Sequence, residues 1–247
     1  MRRSKIFWLF GAFLVLVATA IVVLKTEQGL AAVSYAWIKL RGGYTVQDRL
    51  QMHSPAVEQR LKERFVSAGL PYPPVELTYV AFKDAALLEV YSRATEESPW
   101  KRVLSYPILR MSGTQGPKLR HGDMQVPEGL YQAEFLNPNS RFHLSIKLNY
   151  PNAFDLAQAS AEGRTNLGSD IMIHGAALSI GCLAMGDQVA EDLFILAALS
   201  GKERVSVIVA PTDFRRSDVH TVAGSPPWLT ELYRDIKAAL SQFPIET

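Results

Sequence analysis

A chain of 247 residues with 48% apolar and 20% charged side chains can bury one sizeable core and is too apolar to be disordered. The formal net charge of +2 conceals a split: four basic residues precede the first acidic one, Glu27, and the remainder carries 22 basic against 24 acidic residues. A near-neutral remainder lacks the basic surface that nucleic acids bind, so we expect no nucleic-acid partner.

The first predicted element is a membrane span. Residues 6–24, IFWLFGAFLVLVATAIVVL, carry no charge and follow three basic residues. Such a run is long enough to cross the hydrocarbon layer, and the flanking charges favour a cytoplasmic N-terminus. Ala18-Thr19-Ala20 also has the form of a signal-peptide cleavage site, so removal of the segment is the alternative. We expect a signal anchor at 1–25 and, in either case, export of the rest of the chain.

Residues 26–74 are predicted to form a stalk that carries a short amphipathic helix. Ser54-Pro55 has the pattern of a helix cap followed by a first-turn proline, and Gly69 ends the pattern. Apolar residues recur on one helical face between them: Val57, Leu61 and Phe65.

From Val75 the apolar pattern alternates, which predicts a mainly β domain with flanking helices. The candidate strands are residues 75–83, 87–94, 100–109, 131–135, 143–150, 170–174 and 205–211. Residues 111–131 are rich in glycine and proline and are predicted to form a functional loop. A helix capped by Asp187 is expected to run to about Ser200, and a second one, opening at Ser225-Pro226, lies in a C-terminal helical extension at 213–247.

The single cysteine, Cys182, lies in IMIHGAALSIGCLAM, eight residues after His174. A lone thiol forms no internal disulfide, so in an exported chain it calls for another role. If a turn returns the chain to strand 170–174, we expect His174 to take the proton of the thiol and ionise it. The alternatives are an inert buried cysteine and a structural histidine. Only these two ligands lie close in sequence, so we expect no metal.

His174-Gly175 and Ser179-Ile180-Gly181-Cys182-Leu183 resemble the signature of the L,D-transpeptidase catalytic domain, the YkuD-type domain, and are similar to its YafK-like murein transpeptidase subgroup. The similarity covers roughly residues 75–212 and includes segments 116–131, 137–155 and 163–175. It implies a β-sandwich-like catalytic domain. By this resemblance Cys182 is the nucleophile, His174 the proton acceptor and donor, and Ser179 and Gly181 supply backbone groups near the developing oxyanion.

Two positions depart from the family pattern. The histidine usual just before Gly-Cys is Ile180, and the arginine common two residues after the cysteine is Ala184. The substrate carboxylate therefore lacks its usual partner. Arg141 and Arg164 are the candidates to replace that arginine, and a solvated or ion-paired role is the alternative for each.

The resemblance implies cysteine-dependent acyl transfer on peptidoglycan stem peptides, in cell wall biogenesis and the control of cell shape. A thioester at Cys182 would be resolved by an amine in an L,D-transpeptidase, or by water in an L,D-carboxypeptidase or an amidase that releases wall-attached protein. A non-catalytic wall-binding scaffold is the third alternative. The resemblance implies no cofactor. The expected partners are stem peptides, a wall-attached lipoprotein and, through residues 6–24, the inner membrane, with the catalytic domain in the periplasm.

Overall fold

The computed structural model describes residues 42–179, 181–221 and 224–245, so the predicted membrane span and cleavage site lie outside the described residues. Within those three ranges, no helix combines the length and apolarity needed to cross a bilayer. The helices there are α1 (Val46–Ser67), α2 (Ala153–Ala161), α3 (Asp187–Ser200) and α4 (Leu229–Leu240), with a short 3-10 helix at Lys202–Arg204. The strands are β1 (Glu76–Phe82), β2 (Leu87–Arg93), β3 (Lys101–Pro107), β4 (Gly129–Ser140), β5 (His143–Leu148), β6 (Met172–His174), β7 (Leu183–Ala184) and β8 (Val205–Ala210).

The described strands form one eight-stranded sheet in the order β3-β2-β1-β8-β4-β5-β6-β7. Neighbouring strands are antiparallel except for the pairs β1–β8 and β6–β7. The long strand β4 pairs with β8 through residues 129–132 and with β5 through residues 133–140, with a register shift near Ala133. The mainly β architecture with flanking helices is thus confirmed. The strands form one continuous sheet, in which β4 pairs with both β8 and β5.

Consecutive residues of β1 alternate between two apolar cores. Tyr79 and Ala81 belong to the larger core, which includes the buried faces of α1 and α3. Val80 and Phe82 belong to a smaller core that α4 covers. Because side chains alternate along a strand, a sheet with helices on both faces buries both sets. Burial of each large apolar side chain stabilises the fold by about 1.5–3 kcal/mol.

Helix α1 begins at Val46, eight residues before the predicted cap, Ser54. Its N-cap is Thr45, whose Oγ1 accepts the Asp48 N–H at 3.1 Å, while Asp48 Oδ2 accepts the Thr45 N–H at 2.7 Å. This reciprocal capping box satisfies two N–H groups that would otherwise lack partners. Pro55, predicted in the first turn, lies inside the helix, where a proline costs about 3 kcal/mol. The predicted apolar face, at Val57, Leu61 and Phe65, is buried as expected.

Other element boundaries also differ from the sequence predictions. Helix α2 was not predicted, although Asn152 and Asp155 form another capping box at its start. Asp187 is the first residue of α3 and not its cap, which is Gly186. Helix α4 begins at Leu229, later than the predicted start near Pro226.

A buried ion pair fixes the long loop that precedes β4. Lys83 Nζ donates to Glu128 Oε1 at 2.8 Å and to the carbonyl oxygens of Gly116 and Val126 at 3.0 Å each. The second oxygen of Glu128 accepts the Tyr233 hydroxyl at 2.7 Å. Burial lowers the pKa of Lys83, while the charge of Glu128 opposes this shift. The loop is therefore anchored by hydrogen bonds inside the fold, and it delivers residues 117–125 to the region of the cysteine.

Candidate active site

The parallel pairing of β6 and β7 brings the cysteine and the histidine to one face of the sheet. Ile173 pairs with Leu183, and His174 pairs with Ala184. The same register sets Cys182 opposite Met172, whose N–H lowers the pKa of the Cys182 thiol. Paired residues share a face and alternate residues return to it. The structure therefore places the side chains of Cys182 and His174 on the same face.

His174 is held in an orientation that leaves one ring nitrogen free to accept a proton. Its Nδ1 lies 2.6 Å from the Gly175 carbonyl oxygen, which can only accept, so Nδ1 carries the hydrogen. Nε2 is then the unprotonated nitrogen. The Phe142 ring stacks on the imidazole with centroids 4.7 Å apart. His174 is 2% exposed, and burial lowers its pKa, while the hydrogen bond to Gly175 opposes this shift.

Cys182 is half-buried and free of disulfide bonding. Its thiol donates to the Asp170 carbonyl oxygen at 3.6 Å, and among the described residues no hydrogen bond joins Sγ to a ring nitrogen of His174. Burial raises the pKa of the thiol. The Met172 N–H lowers this pKa, the charge of Asp170 raises it, and the charge of Lys118 lowers it. These directions favour a neutral thiol and a neutral imidazole at rest, whereas the sequence predicted an ionised sulfur.

The backbone N–H groups beside the thiol already have acceptors. Cys182 N–H donates to Ser179 Oγ at 3.0 Å, and Ser179 Oγ in turn donates to the Cys182 carbonyl oxygen at 2.6 Å. Gly181 N–H donates to Ser112 Oγ at 2.5 Å. Ser179 thus contributes its side chain to the turn, where a backbone group was expected. An oxyanion at this position would have to replace a serine hydroxyl as the acceptor.

Gly181 has a backbone conformation that side chains rarely adopt. Its φ is +89°, and a Cβ atom there would lie 3.3 Å from the Gln125 carbonyl oxygen. This close approach joins the cysteine turn to the anchored loop. Gln125 also lines an open groove of about 650 Å³ between residues 117–125 and 163–166. Gln125 thus both lines the groove and contacts the cysteine turn at Gly181.

The two arginines proposed for the substrate carboxylate lie in different settings. Arg164 lines the groove but is already engaged, because Nε binds Glu162 Oε2 at 2.6 Å and Nη1 donates to the Leu119 carbonyl oxygen at 2.9 Å. Arg141 is exposed in the turn between β4 and β5, beside Phe142. The structure thus favours the ion-paired alternative for Arg164, and Arg141 keeps its place as a candidate.

Two functional candidates were missed in the sequence. Lys118 is buried, donates to Asp123 Oδ1 at 2.5 Å and to the Arg120 carbonyl oxygen at 2.9 Å, and lies close enough for its charge to lower the pKa of Cys182. Ser112 meets Gly181 across 69 positions of sequence. No local pattern marks either residue, because the loop brings both to the cysteine only in the folded chain.

The comparisons with known proteins agree with the predicted resemblance. No family model matches the chain. The chain is 36% identical over 144 residues to the protein named "Putative L,D-transpeptidase YafK" of Escherichia coli K12, an alignment that covers 56% of the chain and 54% of that relative. The protein of the same name from Escherichia coli O157:H7 matches equally. The chain thus spans about half the length of the curated relatives it matches.

Solved structures give a weaker likeness. The helical cell shape determining protein Pgp2 of Campylobacter jejuni has a TM-score of 0.44 at 21% identity, covering 61% of this chain and 55% of that one. L,D-transpeptidase 1 of Mycobacterium tuberculosis has a TM-score of 0.32 at 14% identity, covering 55% and 62%. Neither likeness carries a functional argument. The sequence comparison confirms the predicted resemblance: over 56% of its length this chain is similar to proteins named putative L,D-transpeptidases.

Proposed function

We propose that the chain is a cysteine-dependent acyl transferase of the L,D-transpeptidase type that acts on peptidoglycan stem peptides, with its catalytic domain at residues 75–212. The observation that carries the proposal is the shared face of Cys182 and His174, with Nδ1 of the imidazole held by Gly175 and Nε2 left to accept a proton. The 36% identity to a protein named "Putative L,D-transpeptidase YafK" supports the same reaction.

In the first half-reaction Cys182 Sγ attacks the carbonyl carbon that precedes the terminal D-residue. The thiol rotates away from the Asp170 carbonyl oxygen, and its proton passes to His174 Nε2 as the S–C bond forms. The tetrahedral intermediate collapses when the C–N bond breaks, and the imidazolium returns the proton to the departing amine. A thioester remains on Cys182.

In the second half-reaction an amine of another stem attacks the thioester. His174 Nε2 accepts a proton from that amine, the C–S bond breaks, and the thiolate takes the proton to regenerate the starting pair. These steps need no cofactor. A lysine amine as acceptor would attach a protein, such as a wall lipoprotein, to the peptidoglycan.

Hydrolysis is the second candidate function, because the position of the usual arginine is taken by Ala184, which is fully buried and paired with His174. A substrate carboxylate must therefore be held elsewhere. Arg120 is exposed on the groove, and Arg141 is exposed in the β4–β5 turn. Either arginine would position the donor stem without requiring a particular acceptor, so water would compete with amines at the thioester.

The membrane location is also part of the proposal. Residues 6–24 would anchor the chain in the inner membrane, with the domain in the periplasm where peptidoglycan lies. The N-terminal mass of the purified chain tests this. A chain that begins after Ala20 would show cleavage and a secreted form, and retention of Met1 with resistance to carbonate extraction would support the anchor.

The reaction is tested with purified muropeptides, with and without added acceptor amine, and the products are followed by mass spectrometry. Transfer predicts an amine-dependent cross-linked product with the wild-type chain and none with Cys182→Ala. If water-resolved products alone accumulate at high amine concentration, the hydrolase is the correct assignment. If Cys182→Ala and wild type give the same products, or neither gives any, the non-catalytic scaffold is favoured.

A further inference from the structure

Away from the cysteine, three side chains from distant parts of the chain lie together. His53 is on α1, His143 opens β5 and Glu191 is on α3. His143 Nε2 is 2.9 Å from Glu191 Oε1, and His53 Nδ1 is 3.3 Å from the same oxygen. All three ligand atoms lie within 4.8 Å of one another, and among the described residues no other set of three such side chains is so close.

Two of these separations fit a tetrahedral zinc ion. Zinc bonds to imidazole nitrogen and carboxylate oxygen are about 2.0–2.2 Å long, so neighbouring ligand atoms in a tetrahedron lie about 3.3 Å apart. The two shortest separations here are therefore close to those of a loaded site. Two imidazoles with one carboxylate form a donor set that zinc accepts, with water completing the coordination.

The surroundings leave these atoms available. The side chains of His53, His143 and Glu191 are 15%, 25% and 19% exposed, so an ion can reach them from solvent. The buried Nε2 of His53 has no hydrogen-bond partner among the described residues, so Glu191 is the polar contact of that ring. The two imidazoles meet edge to face, with centroids 5.4 Å apart.

Two guanidinium groups lie nearby and oppose a cation electrostatically. Arg60 Nη2 is 3.5 Å from Glu191 Oε2 but 2.6 Å from Asp192 Oδ1, so Asp192 is its closer partner. Arg49 Nε donates to the Pro138 carbonyl oxygen at 2.8 Å. Both cations are therefore held by other acceptors, and Oε1 of Glu191 faces the two imidazoles.

We propose that His53, His143 and Glu191 bind a zinc ion that joins α1, the start of β5 and α3. The site does not depend on the proposed reaction. It nevertheless lies next to the candidate active site, because Phe142, which precedes His143, stacks on His174. Bound zinc would hold the backbone at His143 and so help to position the neighbouring Phe142 ring against His174.

Zinc binding to the full-length chain, purified in detergent and stripped with a chelator, is measured by calorimetric titration with zinc chloride. The wild type and Cys182→Ala are expected to bind zinc with the same affinity, which separates this site from the thiol. His53→Gln and Glu191→Gln should each weaken binding at least about tenfold. His220→Gln, at an exposed position, is the matched control and should bind as the wild type does.

The proposal is overturned if the wild type takes up no zinc, if Cys182→Ala abolishes uptake, or if the ligand variants bind as tightly as the control. Thermal unfolding in EDTA shows whether each variant folds. Zinc should raise the melting temperature of the wild type and not that of His53→Gln. Should a variant fail to fold, cobalt substitution in the wild type decides: an intense visible absorption of tetrahedral Co²⁺ supports the site, and a weak octahedral spectrum contradicts it.

Discussion

Gly175 supplies the carbonyl oxygen that orients His174, and it has no room for a side chain. A Cβ atom at Gly175 would lie 2.5 Å from Asp187 Oδ1 and 2.7 Å from the Phe142 carbonyl oxygen. The same Asp187 oxygen accepts the Ala176 N–H at 2.8 Å. The absence of a side chain thus allows the strand end, the start of α3 and the Phe142 turn to meet at the candidate base.

Gly175→Ala should therefore displace the carbonyl that holds His174 Nδ1. We expect at least a tenfold loss in kcat/KM for muropeptide turnover and a stability loss of about 1–3 kcal/mol, measured by urea unfolding. Ala238→Ser, which also adds one heavy atom but at an exposed position on α4, is the control. Full activity in Gly175→Ala would show that this carbonyl does not position the base.

The pH dependence of the reaction should be that of a neutral Cys182 thiol beside a neutral His174 imidazole. Burial lowers the pKa of His174 from 6.5, so the imidazole becomes an acceptor already below pH 6.5, and kcat/KM should rise with a midpoint under that value. Burial raises the pKa of Cys182 from 9.0, so alkylation by iodoacetamide should reach half its maximal rate above pH 9. An alkylation rate that is already maximal at neutral pH would indicate a thiolate–imidazolium pair and contradict this assignment.

Lys118 should influence the thiol through its charge. Because that charge lowers the pKa of Cys182, Lys118→Met should move the alkylation midpoint to higher pH. The substitution also leaves Asp123 without its partner at 2.5 Å, so Lys118→Met with Asp123→Asn provides a second variant in which no lone carboxylate is left. An unchanged midpoint in both variants would remove Lys118 from the candidate site.

The buried pair that anchors the loop should be strongly coupled. Lys83→Met leaves the Glu128 carboxylate buried without its cation, and we expect a loss of about 3–5 kcal/mol in the free energy of unfolding. Lys83→Met combined with Glu128→Gln removes both charges and should recover much of that loss. Equal losses in the single and double variants, measured by urea unfolding, would rule out the charge explanation.

The sequence predicted the strands well because apolar alternation is local. It also placed the thiol and the imidazole together, since a strand, a turn and a return over eight residues suffice for that. The start of α1 differs from the prediction because the Thr45–Asp48 capping box begins the helix earlier, and burial of the apolar face carries the helix through the proline.

The rest of the candidate site depends on contacts between distant segments. Ser112 contacts Gly181, and the charge of Lys118 acts on Cys182, because a loop anchored by the buried Lys83–Glu128 pair carries both residues to the cysteine turn. No periodic pattern in the sequence reveals this path. The sequence predicted no metal because only Cys182 and His174 lie close together along the chain. The ligands that we propose come from three elements that meet only after folding.

The carboxyl group of Asp155 should cause the free energy of unfolding to decrease as pH rises. Burial raises the pKa of this carboxyl from 3.8 to about 6, although the Asn152 N–H and the Tyr131 hydroxyl favour the ionised form. Because the folded pKa exceeds the unfolded one, this contribution to stability is complete below pH 3.8 and is lost as pH rises through about 6. An amide at this position carries no charge and can still accept the Asn152 N–H.

The free energy of unfolding of Asp155→Asn, relative to that of the wild type, should therefore increase by about 1–3 kcal/mol as the pH rises from 5 to 8. The free energy of unfolding, measured with urea at both pH values for each protein, gives this difference directly. Asp235→Asn, at an exposed position on α4, is the matched control and should show no such change. The difference in free energy of unfolding between Asp155→Asn and the wild type could instead be the same at pH 5 and pH 8. The Asp155 carboxyl would then already be ionised in the folded chain at pH 5, and burial would not hold its proton.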